Sequence, residues 1–237
     1  MTEMVEVVIN GEFKIVLPQH RADRPEWYEP EGWEKIRTKS MSDNIGKDDV
    51  VYYVGAEEGE FPALCQLWGA RVVLFEPNPQ VWSHYPILWS ANKLEPPIAT
   101  VAAFASDINN NKTEIYRNGF PPVSDEDLNK AHGFKELYLE GDSYGQITID
   151  SLVYEHKLEA PTAISIDVEG SEWKVLKGAE GVLKEYKPKI WLSGHPEFMF
   201  HQFGEYLSEV RHWIKELGYK ETLLDYQHEV HLFYESN

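Results

Sequence analysis

Apolar and polar residues alternate from Val5 to Leu17, and the alternation breaks at Asn10-Gly11, a dipeptide that accepts the positive φ angles of a tight turn. This predicts a β-hairpin. Pro18 to Asp49 holds no sustained period. With Pro18, Pro25, Pro30, Trp27, Tyr28 and Trp33 it reads as irregular chain and a short helix wrapped against the body. From Val50 the texture changes to short apolar runs at Val50–Val54, Arg71–Phe75, Ile98–Phe104, Ala163–Ile166 and Lys189–Leu192, separated by stretches of helical period. Between 172 and 186, Trp173, Leu176, Ala179, Val182, Leu183 and Tyr186 share one face while Lys174, Lys177, Glu180 and Lys184 face water. Residues 205–217 repeat the pattern, and Gly218 closes it as a C-terminal cap. Strands alternating with helices imply crossover connections and a mainly parallel sheet. Thr222–Tyr226 and Glu229–Tyr234 are too close for a helical crossover, so they are expected to pair antiparallel at its end.

The chain of 237 residues thus divides into an N-terminal hairpin and irregular extension, 1–49, and an α/β domain, 50–237. A polar stretch at about 117–146 carries Gly119, Pro121, Pro122, Gly133, Gly141 and Gly145 and is expected to be either a lid or a surface loop. With 42% hydrophobic residues the chain can bury a large core, which excludes disorder. Its 22 Lys and Arg against 40 Asp and Glu give a net charge of −18, a surface that repels polyphosphate and so disfavours nucleic acid as a partner. The single cysteine, Cys65, excludes an intrachain disulfide and sits in an apolar helical context that marks it as packing. No basic leader and no apolar run of about 18 residues is present, so a soluble, cytoplasmic protein without a membrane partner is expected.

Chemistry gathers at the ends of the predicted strands. The first runs into Val54-Gly55-Ala56-Glu57-Glu58-Gly59-Glu60-Phe61, where two glycines permit a sharp turn into a helix beside a ligand. The second ends at Glu76, about 20 residues on, the spacing at which a carboxylate meets ribose hydroxyls, and Pro77-Asn78-Pro79 stiffens the turn after it. Glu57, Glu58 and Glu60 crowd the place where a dinucleotide puts its pyrophosphate, and no Gly-Lys-Ser or Gly-Lys-Thr closes the loop. S-adenosylmethionine, which has the ribose but no phosphates, suits an acidic loop better. Ser106 and Asp107 end the third strand, where either adenine binding or helix capping would use them. The fourth strand presents Asp167 and Glu169 at the same edge, able to hold a metal, take a proton or orient a cofactor. His195, just past the fifth strand, is the candidate general base, with Asp167 as its alternative or its orienting partner. Asp167, Glu169 and His195 are together compatible with Mg²⁺ or Mn²⁺, although no metal is assigned. His228 and His231, three apart on a predicted strand, point to opposite faces and make a poor metal site.

These segments resemble the FkbM family of S-adenosylmethionine-dependent methyltransferases. The likeness is carried by Val54–Phe61, Phe75–Pro79, Asn92, Ala105-Ser106-Asp107, Thr148-Ile149-Asp150-Ser151-Leu152, Ile166-Asp167-Val168-Glu169-Gly170 and Val175-Leu176-Lys177-Gly178-Ala179, in order from Val50 to Leu192. The resemblance implies a Rossmann-like class I methyltransferase fold, with a seven-stranded, mainly parallel sheet whose last strand is antiparallel. It also implies methyl transfer to a hydroxyl of a sugar, glycan or natural product. On that pattern Gly55, Ala56, Glu57 and Gly59 hold the methionine part and Glu76 the ribose, with Tyr53, Pro77 and Asn78 as further cofactor-binding positions. Ser106 and Asp107 hold the adenine, and Asp167 lies near the transferring methyl. Four positions depart from the family: Tyr53 stands for an Asp, Glu57 for an Asn, Ser165 for a Lys, and the acid of the fifth strand is missing from Trp191–His195. Alternatives are N-methylation of another small acceptor, for which no Asn-Pro-Pro-Tyr or Asp-Pro-Pro-Tyr is present, and an inactive binding module that kept the fold. The acceptor and the oligomeric state are not written in the pattern. Trp27, Tyr28, Trp33, Phe120, Phe134, Tyr138 and Tyr144 would serve either to stack on sugar rings or simply to pack.

Overall fold

The computed structural model of the chain describes residues 3–24, 32, 34–123, 144–226 and 229–236. The N-terminal hairpin forms: β1 (Met4–Ile9) pairs antiparallel with β2 (Phe13–Pro18), and Asn10 and Gly11 turn the chain with φ of 53° and 71°. Asn92, after the helix His84–Ala91, fastens this hairpin to the body. Its Oδ1 accepts from the Val16 amide and its Nδ2 donates to the Val16 carbonyl, both at 2.8 Å, so one side chain satisfies the open edge of β2 much as a strand would.

From Val50 the chain builds the main sheet. Its strands in chain order are β3 (Val50–Val54), β4 (Arg71–Phe75), β5 (Ala99–Ala102), β7 (Glu114–Arg117), β9 (Ala163–Ile166), β10 (Lys189–Gly194), β11 (Tyr219–Tyr226) and β12 (Val230–Ser236). A short separate pair, β6 (Phe104–Ala105) and β8 (Gln146–Ile147), is parallel. The spatial order of the sheet is β11-β12-β10-β9-β3-β4-β5-β7. The expected strands are all present, with β12 antiparallel to β10 and to β11, and β7 adds an eighth strand antiparallel to β5. The expected single strand over 98–104 is cut at Ala103, after which the chain leaves the sheet to pair with β8.

The central strands are buried on both faces, as crossover helices require. Val50, Tyr52 and Val54 point into one core with the helices Ile149–Tyr154, Glu172–Lys177 and Leu207–Glu216. Val51 and Tyr53 point into the other, shared with the hairpin and the helices Lys35–Asn44, Glu60–Leu67 and His84–Ala91. Each fully buried valine here contributes roughly 1.5–3 kcal/mol. Cys65 lies buried in that second core, as its helical setting predicts.

The helix expected over 172–186 is two helices, Glu172–Lys177 and Glu180–Glu185. The break has a tertiary cause that no periodicity carries. The Ser106 carbonyl presses on Gly178 so closely that a Cβ there would lie 1.9 Å from it, and the Gly178 carbonyl turns away to accept from the Asp150 amide. The Asp150 carboxylate then accepts from the amides of Gly181 and Val182, both at 2.8 Å, and caps the second helix from outside. Among the described residues no helix is long and apolar enough to cross a membrane.

Because the chain runs outward from β3 through β4 to β5 and then returns with β9 against the other side of β3, the carboxyl ends of β3 and β9 flank the crevice where ligands of such sheets bind.

Candidate active site

A cleft of about 370 Å³ opens at that crevice, within the range of about 300–1,000 Å³ usual for small-molecule pockets. Gly55, Ala56, Glu57, Glu76, Pro77, Asn78, Tyr53 and Asp167 all line it. At one end the amides of Gly55 and Ala56 both donate to the Phe75 carbonyl, folding the loop down onto β4. Gly55 has φ of 86°, and a Cβ there would lie 1.8 Å from the Asp167 carbonyl, so this glycine serves the approach of two backbones as well as the turn. Glu57 takes a left-handed φ of 45°, a conformation that Asn tolerates better than Glu. The Glu57 amide donates to Glu76 Oε2 at 2.9 Å and the Asn78 amide to Glu76 Oε1 at 2.8 Å, so both carboxylate oxygens are oriented at the cleft wall. Burial pushes the Glu76 carboxyl up to about 8, and the charge of Glu57 adds to it, against those two amide bonds.

The acidic loop is not bare. Arg21, from the extension, is buried against it: Nε donates to Glu60, and its other nitrogens lie 3.7 Å from Glu58 and 3.9 Å from Glu57. Glu58 also meets His20 at 2.7 Å and His84 at 3.1 Å; despite partial burial these bonds and Arg21 hold its carboxyl at about 2. The exclusion of a diphosphate by repulsion is therefore weaker than the bare sequence implies, since a guanidinium sits among the three acids.

At the other end, residues from four segments meet. His195 is buried, its ring stacked on Phe198 at 5.8 Å, with Nδ1 2.6 Å from Glu172 Oε1. Its Nε2 faces Glu169 at 3.4 Å, Glu229 at 3.6 Å and Asp167 at 3.8 Å. Burial opposes the charged ring, but Glu172, Glu229 and Asp167 outweigh it and push His195 up to about 11. The neutral imidazole expected of a general base is thus not the form these surroundings favour, and the ring lies behind the carboxylates instead of lining the cleft. Asp167 and Glu169 do line it, together with Glu229. Burial also holds the Asp167 carboxyl well above its usual range; Arg37 opposes this, while Glu34 and Glu229 add to it.

Arg37, on the helix Lys35–Asn44, is fully buried below this group. It pairs with Glu34, lies 3.7 Å from Asp167 Oδ2, and donates to Ser165 Oγ at 2.7 Å and to the Tyr53 hydroxyl at 3.4 Å. Tyr53 and Ser165 are register partners on the neighbouring strands β3 and β9. The two family departures are therefore one feature: where the pattern has an Asp beside a Lys, this chain has a hydroxyl pair with a guanidinium brought in from the extension.

The cleft does not gather every expected residue. Gly59, with φ of 95°, packs against Tyr85 and Trp89 away from the lining. The lining stops at Ala105; Ser106 is buried with its hydroxyl donating to Gln146, and Asp107 is exposed. Phe120 packs on Tyr85 and Trp89, and Tyr144 on Phe104. Trp27, Tyr28, Trp33, Phe134, Tyr138, His228 and most of the 117–146 insertion lie outside the described residues. His231 is buried with Nδ1 at 3.1 Å from Ser193 Oγ.

The family profile described as a methyltransferase FkbM domain matches residues 49–221, well over half of the chain. The chain belongs to the FkbM methyltransferase family. This FkbM domain is 28% identical over 139 residues to the hexuronic acid methyltransferase AglP of Haloferax volcanii, an alignment that takes in 58% of this chain and 53% of that protein. The chain thus spans about half the length of that curated relative. Among solved structures, the methyltransferase FkbM of Methylobacillus flagellatus KT superposes with a TM-score of 0.52 at 19% identity, covering 81% of this chain and 44% of the other, and shares the fold. A precorrin-6y C5,15-methyltransferase of Geobacter metallireducens GS-15 aligns with a TM-score of 0.48 at 13% identity over 87% of this chain and 89% of its own.

Proposed function

We propose that this FkbM domain transfers a methyl group from S-adenosylmethionine to a hydroxyl oxygen of a sugar or glycan. One observation carries the reading: the Gly55 loop, Glu76 and Asp167 open onto a single cleft at the carboxyl edge of the sheet. The cofactor fits the residues present. Glu76 offers a carboxyl already oriented by two amides for the ribose hydroxyls, and Glu57 and Asp167 offer carboxyl oxygens toward an amino group and a sulfonium. When bound, S-adenosylmethionine supplies an electrophilic methyl for in-line displacement by the acceptor oxygen.

The protein's own tasks are then alignment and removal of a proton. Asp167 lines the cleft and is the residue assigned to the hydroxyl proton, while His195, held by Glu172, keeps the Asp167 carboxylate in place from behind. Arg37 supports its other oxygen. The hexuronic acid named for the relative favours a sugar as the acceptor class.

Calorimetry with S-adenosylhomocysteine, followed by transfer of labelled methyl to a panel of uronic acids and neutral sugars, tests the reading. Micromolar affinity and label in a sugar ether are expected. No heat at saturating S-adenosylhomocysteine would mark a fold that has lost the reaction, and label on nitrogen would replace the acceptor class.

A further inference from the structure

We infer that Asp167, Glu169, His195 and Glu229 form a site for a divalent cation, and that this cation docks acceptors in which a carboxylate lies beside a hydroxyl. The inference deepens the sugar methyltransferase reading and rests on it for the acceptor, but not for the metal.

His195 supplies the observation that points to a ligand. The ring is 5% exposed, and Nε2 makes no hydrogen bond although it faces three carboxylates at 3.4, 3.6 and 3.8 Å. Those separations are too long for hydrogen bonds to a well-placed ring nitrogen. They suit atoms that share an ion: with metal–ligand bonds of about 2.1 Å, neighbouring ligand atoms lie about 3 Å apart and opposed ones about 4 Å. The nearest ligand atoms of Asp167, His195 and Glu229 all fall within 4.8 Å of one another.

The second shell agrees. A metal-bound histidine generally gives its other N–H to a carboxylate, which fixes the ring and presents the second nitrogen to the ion, the ion taking the place of the proton there. Here Glu172, itself fully buried, takes Nδ1 at 2.6 Å and is held in turn by the Gly170 amide at 3.0 Å. Three carboxylates and one imidazole favour an ion of intermediate hardness, for which Mn²⁺ is the natural probe. Because Asp167, Glu169 and Glu229 line the cleft, an ion among them would have a face open to the acceptor. A carboxylate and an adjacent hydroxyl would fill that face as a chelate, an arrangement a lone hydroxyl cannot reproduce.

The test uses the full chain, treated with EDTA and desalted, and titrated with MnCl2 while electron paramagnetic resonance follows the free ion. One Mn²⁺ per chain with micromolar affinity is expected, weakened at least tenfold in Glu229→Gln and in Glu169→Gln. Glu169 is partly exposed, so its variant keeps the test valid if Glu229→Gln does not fold. No binding at millimolar Mn²⁺, or affinity in Glu169→Gln within twofold of the parent, overturns the site. Glucuronate should bind at least tenfold more tightly with Mn²⁺ than without, and methyl glucoside equally in both; equal glucuronate affinity overturns the docking role. S-adenosylhomocysteine binding, measured in parallel, separates the two readings: cofactor without Mn²⁺ removes the metal alone, and Mn²⁺ without cofactor removes the methyltransferase reading alone.

Discussion

At the Gly55 end of the cleft, the contacts that shape the turn join residues near in sequence or on adjacent strands: Glu76 takes the amides of Glu57 and Asn78, and Gly55 and Ala56 bond to Phe75. Arg21, His20 and His84 reach only the acids of the loop, from farther off in the chain. At the His195 end, Arg37, Asp167, Glu172, His195 and Glu229 arrive from four separate segments, Asp167 and Glu172 sharing the connection after β9. The first end is backbone-built and shared with many sheets of this topology, whereas the second is an assembly of buried charges whose partners exist only once the fold is complete. Charges of this kind are expensive to strand, so the second end should be the more sensitive to side-chain loss and the first to backbone change.

The sharpest test of that contrast lies where the two ends touch. Gly55→Ala would put a Cβ 1.8 Å from the Asp167 carbonyl at a φ of 86°, and neither atom is the tip of a flexible side chain. Overpacking and left-handed strain together should cost about 4 kcal/mol or more, read as a lowered urea midpoint. A loss below about 1 kcal/mol would show that β3 and β9 can move apart, and that the ends are less rigidly joined than the geometry indicates.

Arg37→Met comes next. It fills the space but leaves Glu34 and Asp167 without their guanidinium, and such a break in a buried pair costs about 3 kcal/mol. Urea denaturation should show the loss. Replacing Glu34 in the same chain should recover part of it, because one stranded charge goes with the other. Full additivity of the two substitutions would mean that Arg37 acts through Asp167, Tyr53 and Ser165 and not through Glu34.

The same contrast explains what the sequence made legible. Gly55, Glu76 and Asp167 were readable because each sits at the end of an apolar run, and a parallel sheet sends all such ends to one edge. Glu229 opens the predicted last strand instead of ending one, so the pattern does not send it to that edge. Because β12 runs antiparallel to β10, with Val230 opposite Gly194, the start of β12 lies beside His195, and the signal was present in the predicted antiparallel pair. Arg37 had no such signal, since its helix is polar and its partners lie on β3 and β9. The Tyr53 and Ser165 departures were the only trace of it, and their meaning needs the register that pairs them. Glu172 was visible as a helix start but not as the partner of His195. Likewise Asp150 and Gly178 belonged to recognisable motifs whose purpose, capping a helix and admitting a carbonyl, appears only in three dimensions.

At the Gly55 end, Glu76→Ala should weaken S-adenosylhomocysteine by about 1–3 kcal/mol through lost charge-assisted bonds to the ribose. The parent should also show a pH dependence that the variant lacks. With the folded-state carboxyl raised to about 8, the folded protein keeps a proton that the unfolded chain loses near pH 4. Stability contributed at this position is therefore greatest in acid and falls as pH climbs through that window. Affinity moves the other way, since ribose hydroxyls donate best to the ionised group, and should rise until about pH 8. Calorimetry from pH 6 to 9 on both proteins checks this; parallel curves would remove Glu76 from the ribose site.

The smallest effect is expected from Asp107→Ala. The resemblance puts this residue at the adenine, yet Asp107 is exposed beyond a lining that stops at Ala105, and the Ser106 hydroxyl 3.3 Å from it donates to the nearer Gln146. An exposed carboxylate competes with water for any donor, so its loss should change S-adenosylhomocysteine affinity less than about twofold, or roughly 0.4 kcal/mol. The adjoining Ala105 backbone would then be the nearer wall for the ring. A tenfold loss in calorimetry would mean that the segment after β6 closes inward when the cofactor binds, making the Gly55 end as dependent on a side chain as the end that holds His195.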